Sequence, residues 1–382
     1  MRRVYNIAGL YRPSGMEKIL TDKANWLAAH GYEVTIITTE QKGRPDAFPL
    51  DSRISRRDLE IGYEDNNGAS LWNKIIHYPR KQYLHRKRLT GALMEIRPDI
   101  TMSMFCNDQS FLPGIKDGSR KMLELHFSRF KRLQYGRKGL WGLVDRLRSR
   151  NEVRQVRRFD RFITLTKEDL SLWGDIPGIC SIPNGISLSG ITPGEHNSKT
   201  VIAVGRYMYQ KGLDRLIDAW KTVTDALGPG NGWQLHLLGD GELRGELQQQ
   251  IDRLGLSSSV KLCGNVNDMP SRYREAAILA LSSHYEGLPM ALIEAQAYGL
   301  PAVSFDCQCG PKEVIVDGQT GLLIPEGDVD ALAQALLALI RDSERRSWMG
   351  AEAARLAERF DFETIMQEWD KLFKQYENPS VR

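Results

Sequence analysis

Twice along this sequence, short runs of β-branched and aliphatic residues alternate with segments of helical length, and that rhythm limits the fold more than any other feature. The first series opens with strand-like residues 3–8 and 33–38, separated by a helical stretch, 15–30, that stops at Gly31 as a C-cap would. It continues with a helix over 71–97, stopped by Pro98, and with strands over 99–104, 121–125 and 161–165. The second series starts at 200–204 and runs through 234–238, 277–281 and 301–305. Strands joined through helices lie parallel, and a parallel sheet needs helices on both faces. The expectation is α/β: two doubly wound, Rossmann-like domains facing each other across a cleft. Residues 1–183 form the first, turn-rich residues 184–199 a linker, and residues 200–361 the second. A last helix within 362–382 is expected to pack back on the first domain.

A chain of 382 residues exceeds one ordinary core, and 41% hydrophobic with 26% charged residues is a soluble, globular profile. Its five cysteines form no C-x-x-C pair, so reduced thiols in a cytoplasmic setting are expected rather than disulfides or a metal site. The apolar start breaks at Tyr11-Arg12-Pro13, too early for a signal peptide, and no window has the ~18 apolar residues of a membrane span. Charge is uneven. Residues 1–185 carry 33 Lys+Arg against 21 Asp+Glu, and the remainder 19 against 27. Much of the excess sits between Arg129 and Arg161, where Arg132, Arg137, Lys138, Arg146, Arg150, Arg154 and Arg157 meet few acids.

Ligands of doubly wound domains sit at the carboxyl ends of the strands. There, Arg206 and Lys211 on a strand-to-helix loop suit a diphosphate. Gly239-Asp-Gly-Glu242 lacks the third glycine of a phosphate loop and reads as a tight turn with an acidic helix start. Asp328-Val-Asp330 precedes a helical run and reads as an N-cap rather than a metal site. The strongest pattern is HYEGLPMALIEAQAYGLPAV, residues 284–303. Gly287, Leu288 and Pro289 turn into a helix whose first N–H groups, at Met290 and Ala291, can receive a diphosphate. Glu294, on the second turn, can accept hydrogen bonds from two adjacent ribose hydroxyls, and Glu286 reaches the other end of the ligand. A capped surface helix with two solvated glutamates is the plainer reading of the spacing.

These pieces, with Gly299-Leu-Pro301, Gly310-Pro-Lys-Glu313, Asp317-Gly318 and Gly321, resemble the E-x7-E region of retaining glycosyltransferases of family 4, of the GT-B architecture. Arg206, Lys211-Gly212, Gly239 to Glu242 and Gly264 to Val266 follow the same family in order and spacing. The resemblance implies that Arg206 and Lys211 hold the diphosphate, that the Val266 backbone meets the base, that Glu294 binds ribose, and that Glu286 binds the donor hexose. In the first domain it is thinner. Ser14-Gly15-Met16-Glu17 keeps only the second glycine of the family's G-G-x-E, leaving Gly15 to lend an N–H. His126, after a strand, stands where many members place a histidine beside the donor sugar, although a strand-end histidine is as often structural.

The resulting expectation is a metal-independent, retaining transfer of a hexose or N-acetylhexosamine from a UDP-sugar to a lipid-linked or polysaccharide acceptor, with no other cofactor. Arg146, Arg150, Arg154 and Arg157, spaced three or four apart, would dock the chain on the anionic inner face of the cell membrane. Two alternatives stand beside it: a two-carboxylate glycosidase, and a basic membrane-surface or nucleic-acid binding protein without catalysis. The glycosidase leaves the phosphate loops without a purpose, and no nucleic-acid motif appears.

Overall fold

The structure is a computed structural model that describes residues 1–66, 71–131, 133 and 139–376. Arg132, Arg137 and Lys138 of the basic run, and residues 377–382 of the expected last helix, lie outside the described residues. The chain divides into two compact units, one of Met1–Ile182 with the chain from Met366 onward, the other Pro183–Ile365.

The first unit is a seven-stranded sheet of β1 (Arg2–Ile7), β2 (Glu33–Thr38), β3 (Ser55–Asp58), β4 (Ile100–Ser103), β5 (Arg120–Glu124), β6 (Arg161–Thr164) and β7 (Ile179–Ser181). Their order is β3-β2-β1-β4-β5-β6-β7, and every neighbouring pair is parallel. Helices α1 (Gly15–Ala29), α2 (Leu71–Ile96), α3 (Gly139–Val156) and α4 (Lys167–Trp173) connect β1 to β2, β3 to β4, β5 to β6 and β6 to β7. The order reverses between β1 and β4, which opens a crevice at their carboxyl ends. Beneath α1 lies a buried ion pair. Lys23 Nζ is 2.6 Å from Glu124 Oε1, and the ammonium sits over the Trp369 ring, 3.6 Å from its centroid.

The second unit is a six-stranded sheet of β8 (Thr200–Val204), β9 (Gln234–Leu238), β10 (Val260–Gly264), β11 (Ile278–Leu281), β12 (Ala302–Asp306) and β13 (Gly321–Pro325). The order β10-β9-β8-β11-β12-β13 is again parallel throughout. Its helices are α5 (Leu213–Leu227), α6 (Arg244–Arg253), α7 (Met269–Glu275), α8 (Met290–Ala297), α9 (Pro311–Val314), α10 (Val329–Arg341) and α11 (Ser343–Ala357). The last helix, α12 (Phe362–Lys374), begins in this unit and from Met366 belongs to the first. In α5 the periodicity of Leu213, Leu216, Ile217, Trp220 and Val223 puts all five side chains in the core. Asp328 caps α10 through the N–H of Ala331 at 2.9 Å, the job its position before a helix suggested.

The linker expected over 184–199 is not free chain. The Gly194 N–H donates to the Tyr298 carbonyl at 3.0 Å, and buried His196 bridges the carbonyls of Ala276 and Tyr298 at 2.7 and 3.0 Å. Turn-forming composition produced an irregular path, but these bonds fasten it to the second unit. Gly185 has its own reason: a Cβ there would lie 2.8 Å from the Cα of Phe362, where α12 begins.

Candidate active site

In the second unit the loops that follow β8, β9 and β10 are drawn together by glycines. A Cβ on Gly239 would stand 2.1 Å from the Gly205 carbonyl oxygen, and one on Gly241 2.4 Å from that of Tyr207. The Gly205 N–H donates to Leu238, the Gly239 N–H to Gly264 and the Tyr207 N–H to Asp240, at 3.0, 2.8 and 3.0 Å. Val266, two residues past Gly264, is thereby held at the same end of the sheet, half-buried. The turn lies later than 239–242: the Arg244 N–H closes on the Gly241 carbonyl at 3.2 Å, and the Gly241 N–H meets the Asp240 carboxylate at 2.8 Å.

The loop from Gly205 to Gly212 carries both expected cations. Arg206 is exposed, and no ion pair is seen for it among the described residues. Lys211 lays its aliphatic stem where a Cβ on Gly205 would be, and its ammonium reaches Glu286 Oε1 at 2.7 Å. Glu286 is 5% exposed and also accepts the hydroxyl of Ser283 at 2.6 Å. Two further bonds lace this loop to the one after β11: Ser282 Oγ donates to the Lys211 carbonyl at 3.0 Å, and the His284 N–H to that of Gln210 at 2.8 Å. Gly212, at φ 53°, leaves no room for a side chain, since a Cβ would lie 2.4 Å from the Ser282 oxygen. The structure thus brings Lys211 and Glu286, 75 residues apart, into one ion pair. Buried Cys307 has its thiol pushed well above the ordinary value, first by burial and then by the charge of Glu286, which leaves it a poor nucleophile.

Pro289 is the N-cap of α8 rather than its first helical residue, so Met290 and Ala291 form the opening turn. No side chain caps it. Gly287 and Leu288 are packed by Gly310, on which a Cβ would sit 2.4 Å from Pro289 Cδ and 3.1 Å from the Gly287 oxygen. Glu294 lies half-buried on the second turn, with Tyr273 Oη donating to its Oε2 at 2.7 Å. Neither Ser283 nor Tyr273 was foreseen; nothing local in the sequence ties a tyrosine 21 residues upstream to a particular glutamate.

Three expected pieces lie in the first unit. Gly15 opens α1 and is exposed, with nothing within 4 Å of where a Cβ would stand. His126 follows β5, and its Nε2 lies 3.1 Å from Glu124 Oε1, the oxygen that also takes Lys23. Burial pushes the Glu124 carboxyl up, yet Lys23 and then His126 outweigh it and hold the group at about 2. On α3, Asp145 and Ser149 face inward, where Arg129 Nη1 donates to Ser149 Oγ at 2.6 Å. The opposite side exposes Arg146, Arg150 and Arg154, with Arg157 just past the helix end. Leu143 and Leu147, one turn apart, are 53% and 55% exposed between them. Among the described residues no helix is long and apolar enough to cross a membrane.

Comparison with known proteins decides what these loops belong to. The family described as Glycosyltransferase Family 4 matches residues 13–189, and that described as Glycosyl transferases group 1 matches 190–356. The chain belongs to the family 4 glycosyltransferases. The amylovoran biosynthesis glycosyltransferase AmsD of Erwinia amylovora is 26% identical, over 96% of this chain and 97% of its own. An α-1,4-N-acetyl-D-galactosaminyltransferase of Campylobacter jejuni, named for a GalNAc-containing diNAcBac-PP-undecaprenol, is 25% identical, over 99% of this chain and 100% of its own. Among solved structures, S. aureus TarM in complex with fondaparinux, α-GlcNAc-glycerol and UDP superposes with a TM-score of 0.77 at 14% identity, over 97% of this chain and 99% of its own. This glycosyltransferase therefore has the GT-B fold that its two parallel sheets suggested.

Proposed function

We propose that this glycosyltransferase moves a hexose or N-acetylhexosamine from a UDP-sugar to a lipid-linked or polysaccharide acceptor, with retention at the anomeric carbon and without a metal ion. The Lys211–Glu286 pair carries the reading, because it joins a cation suited to the diphosphate to a carboxylate suited to sugar hydroxyls within one strand-end site. Cleavage of the sugar–phosphate bond leaves positive charge on the anomeric carbon and a second negative charge on the departing diphosphate. Lys211, exposed Arg206 and the uncapped N–H groups of Met290 and Ala291 offset the latter. Glu286 accepts from the donor hexose, Glu294 from the ribose, the Val266 backbone meets the base, and Gly15 and His126 are assigned to the donor as well. For retention the acceptor hydroxyl enters on the face the diphosphate leaves, and its proton passes to a donor phosphate oxygen. No protein nucleophile takes part.

Two relatives support the choice of substrates. TarM is named in complex with UDP, and the Campylobacter enzyme for an acceptor linked to PP-undecaprenol. A lipid-linked acceptor calls for contact with a bilayer, and we assign that contact, on its cytoplasmic face, to the Arg146, Arg150, Arg154 and Arg157 side of α3. Leu143 and Leu147 on the same side suit the headgroup–acyl boundary.

The test is calorimetry with UDP combined with transfer assays. Glu294→Ala is expected to weaken UDP binding roughly tenfold, the worth of one to two hydrogen bonds, without loss of fold. Transfer should continue in EDTA, and an α-linked donor should yield an α-linked product by NMR. Unchanged UDP affinity would sink the ribose assignment, and activity lost to EDTA and restored by Mn²⁺ would sink the metal-independent one.

A further inference from the structure

The two glutamates of the site are each met by a hydroxyl, but the two hydroxyls differ in kind. Ser283 is three residues from Glu286 and shares it with Lys211, whereas Tyr273 comes from a separate helix, α7, and ends on Glu294. Tyr273 is 1% exposed. Its ring lies near-parallel to that of Tyr298, with centroids 5.6 Å apart and planes at 17°. Tyr298 is itself the C-cap of α8, its N–H bonded to the Glu294 carbonyl at 3.2 Å. The phenol is thus fixed by packing at one end and aimed at a half-buried carboxylate at the other.

We propose that Tyr273 is a positioning residue for nucleotide recognition, its hydroxyl holding Glu294 in the rotamer that turns the carboxylate's remaining acceptor positions toward the vicinal hydroxyls of a nucleotide ribose. The proposal rests on Glu294 being the ribose-binding group. A glutamate side chain has three torsions to fix, and a buried donor at 2.7 Å fixes them before the ligand arrives, so less freedom is lost on binding. A carboxylate offers about four lone-pair sites, of which the phenol uses one. Burial, and then the charge of Glu294, raise the phenol well above its ordinary value, so it remains a donor across the working pH range. An apolar ring at 273 would keep the packing with Tyr298 and lose only the restraint.

The experiment compares UDP with 2′,3′-dideoxy-UDP by calorimetry. The parent should prefer UDP. Tyr273→Phe is expected to lower UDP affinity roughly tenfold, one hydrogen bond's worth of pre-organisation, while leaving dideoxy-UDP affinity unchanged. A merely structural tyrosine would weaken both ligands alike. In a Glu294→Ala background, Tyr273→Phe should have no further effect on UDP binding, and if the phenylalanine variant folds poorly the parent's loss of preference for UDP on Glu294→Gln, with Tyr273 intact, keeps the ribose reading testable. Retention of full UDP preference by Tyr273→Phe, when Glu294→Ala loses it, would overturn the positioning role alone. If Glu294→Ala keeps the preference, the ribose reading fails and the role of Tyr273 falls with it.

Discussion

Gly239 follows β9 and Gly15 opens α1, and the structure asks opposite things of the two glycines. At Gly239 the backbone has φ 139° and a Cβ would stand 2.1 Å from a carbonyl oxygen of the neighbouring loop. Gly239→Ala should therefore cost about 1–3 kcal/mol and lower the thermal midpoint, because backbone rather than a flexible side chain must give way. At Gly15 the space is open, so Gly15→Ala should leave the midpoint unchanged or slightly raised. A weaker donor KM for Gly15→Ala with an intact fold would mark that glycine as kept for a ligand; an unchanged KM would mark it as incidental. At this scale Glu286, Glu294, Arg206 and Lys211 were legible, because each lies at a fixed offset from a strand end or a helix start. Ser283 and Tyr273 were not. Their claim rests on where a rotamer points, and no spacing rule encodes that.

Among the elements, the buried strands were the readable ones. Strand β11, Ile278–Leu281, is apolar on both faces, as a central parallel strand must be. The edge strands β3 and β7 escaped notice, as did β10 and β13 at the edges of the second sheet. The first reads Ser-Arg-Arg-Asp and is mostly exposed; the second has only three residues. An edge strand with polar side chains needs its neighbour's hydrogen bonds to exist, so its pattern alone is silent. Helix α2 carries a prediction of a different kind. His85 is 1% exposed, edge-on to Phe111 and bonded through Nδ1 to Tyr63 Oη at 3.1 Å, and burial lowers it from 6.5 to about 4. An unfolded chain takes up this proton below about pH 6.5 and the folded chain only near 4, so the stability present at neutral pH drains away across that window as pH falls. Between pH 7 and pH 5 the loss from this one group is about 2 kcal/mol. Urea titrations at the two pH values should show it, and His85→Phe should remove that part of the difference.

At the scale of the whole molecule, the charge imbalance was plain in the sequence, whereas the two leucines that interrupt the basic side of α3 acquire meaning only from their exposure. If that side docks on a bilayer as proposed, replacing Arg146, Arg150, Arg154 and Arg157 with Gln should reduce binding to anionic vesicles by at least roughly tenfold at low salt, since each cation near such a surface is worth ~1 kcal/mol. Leu143→Ser with Leu147→Ser should reduce the binding that persists in high salt. UDP affinity should be untouched in both, and vesicle binding as tight as the parent's would mean a merely solvated helix. The path of the chain has a consequence in time as well as in space. Trp369, on which the Lys23 ammonium rests, and Phe373, against which Arg3 lies 4.3 Å from the ring centroid, belong to the first unit but follow all of the second in sequence. On the ribosome, β8 to β13 and their helices can emerge and close while the earlier sheet still lacks the rings that cover Lys23 and Arg3. The domain that is made first is finished last, and until α12 arrives the nascent chain carries a charged interior that a chaperone would see as unfinished.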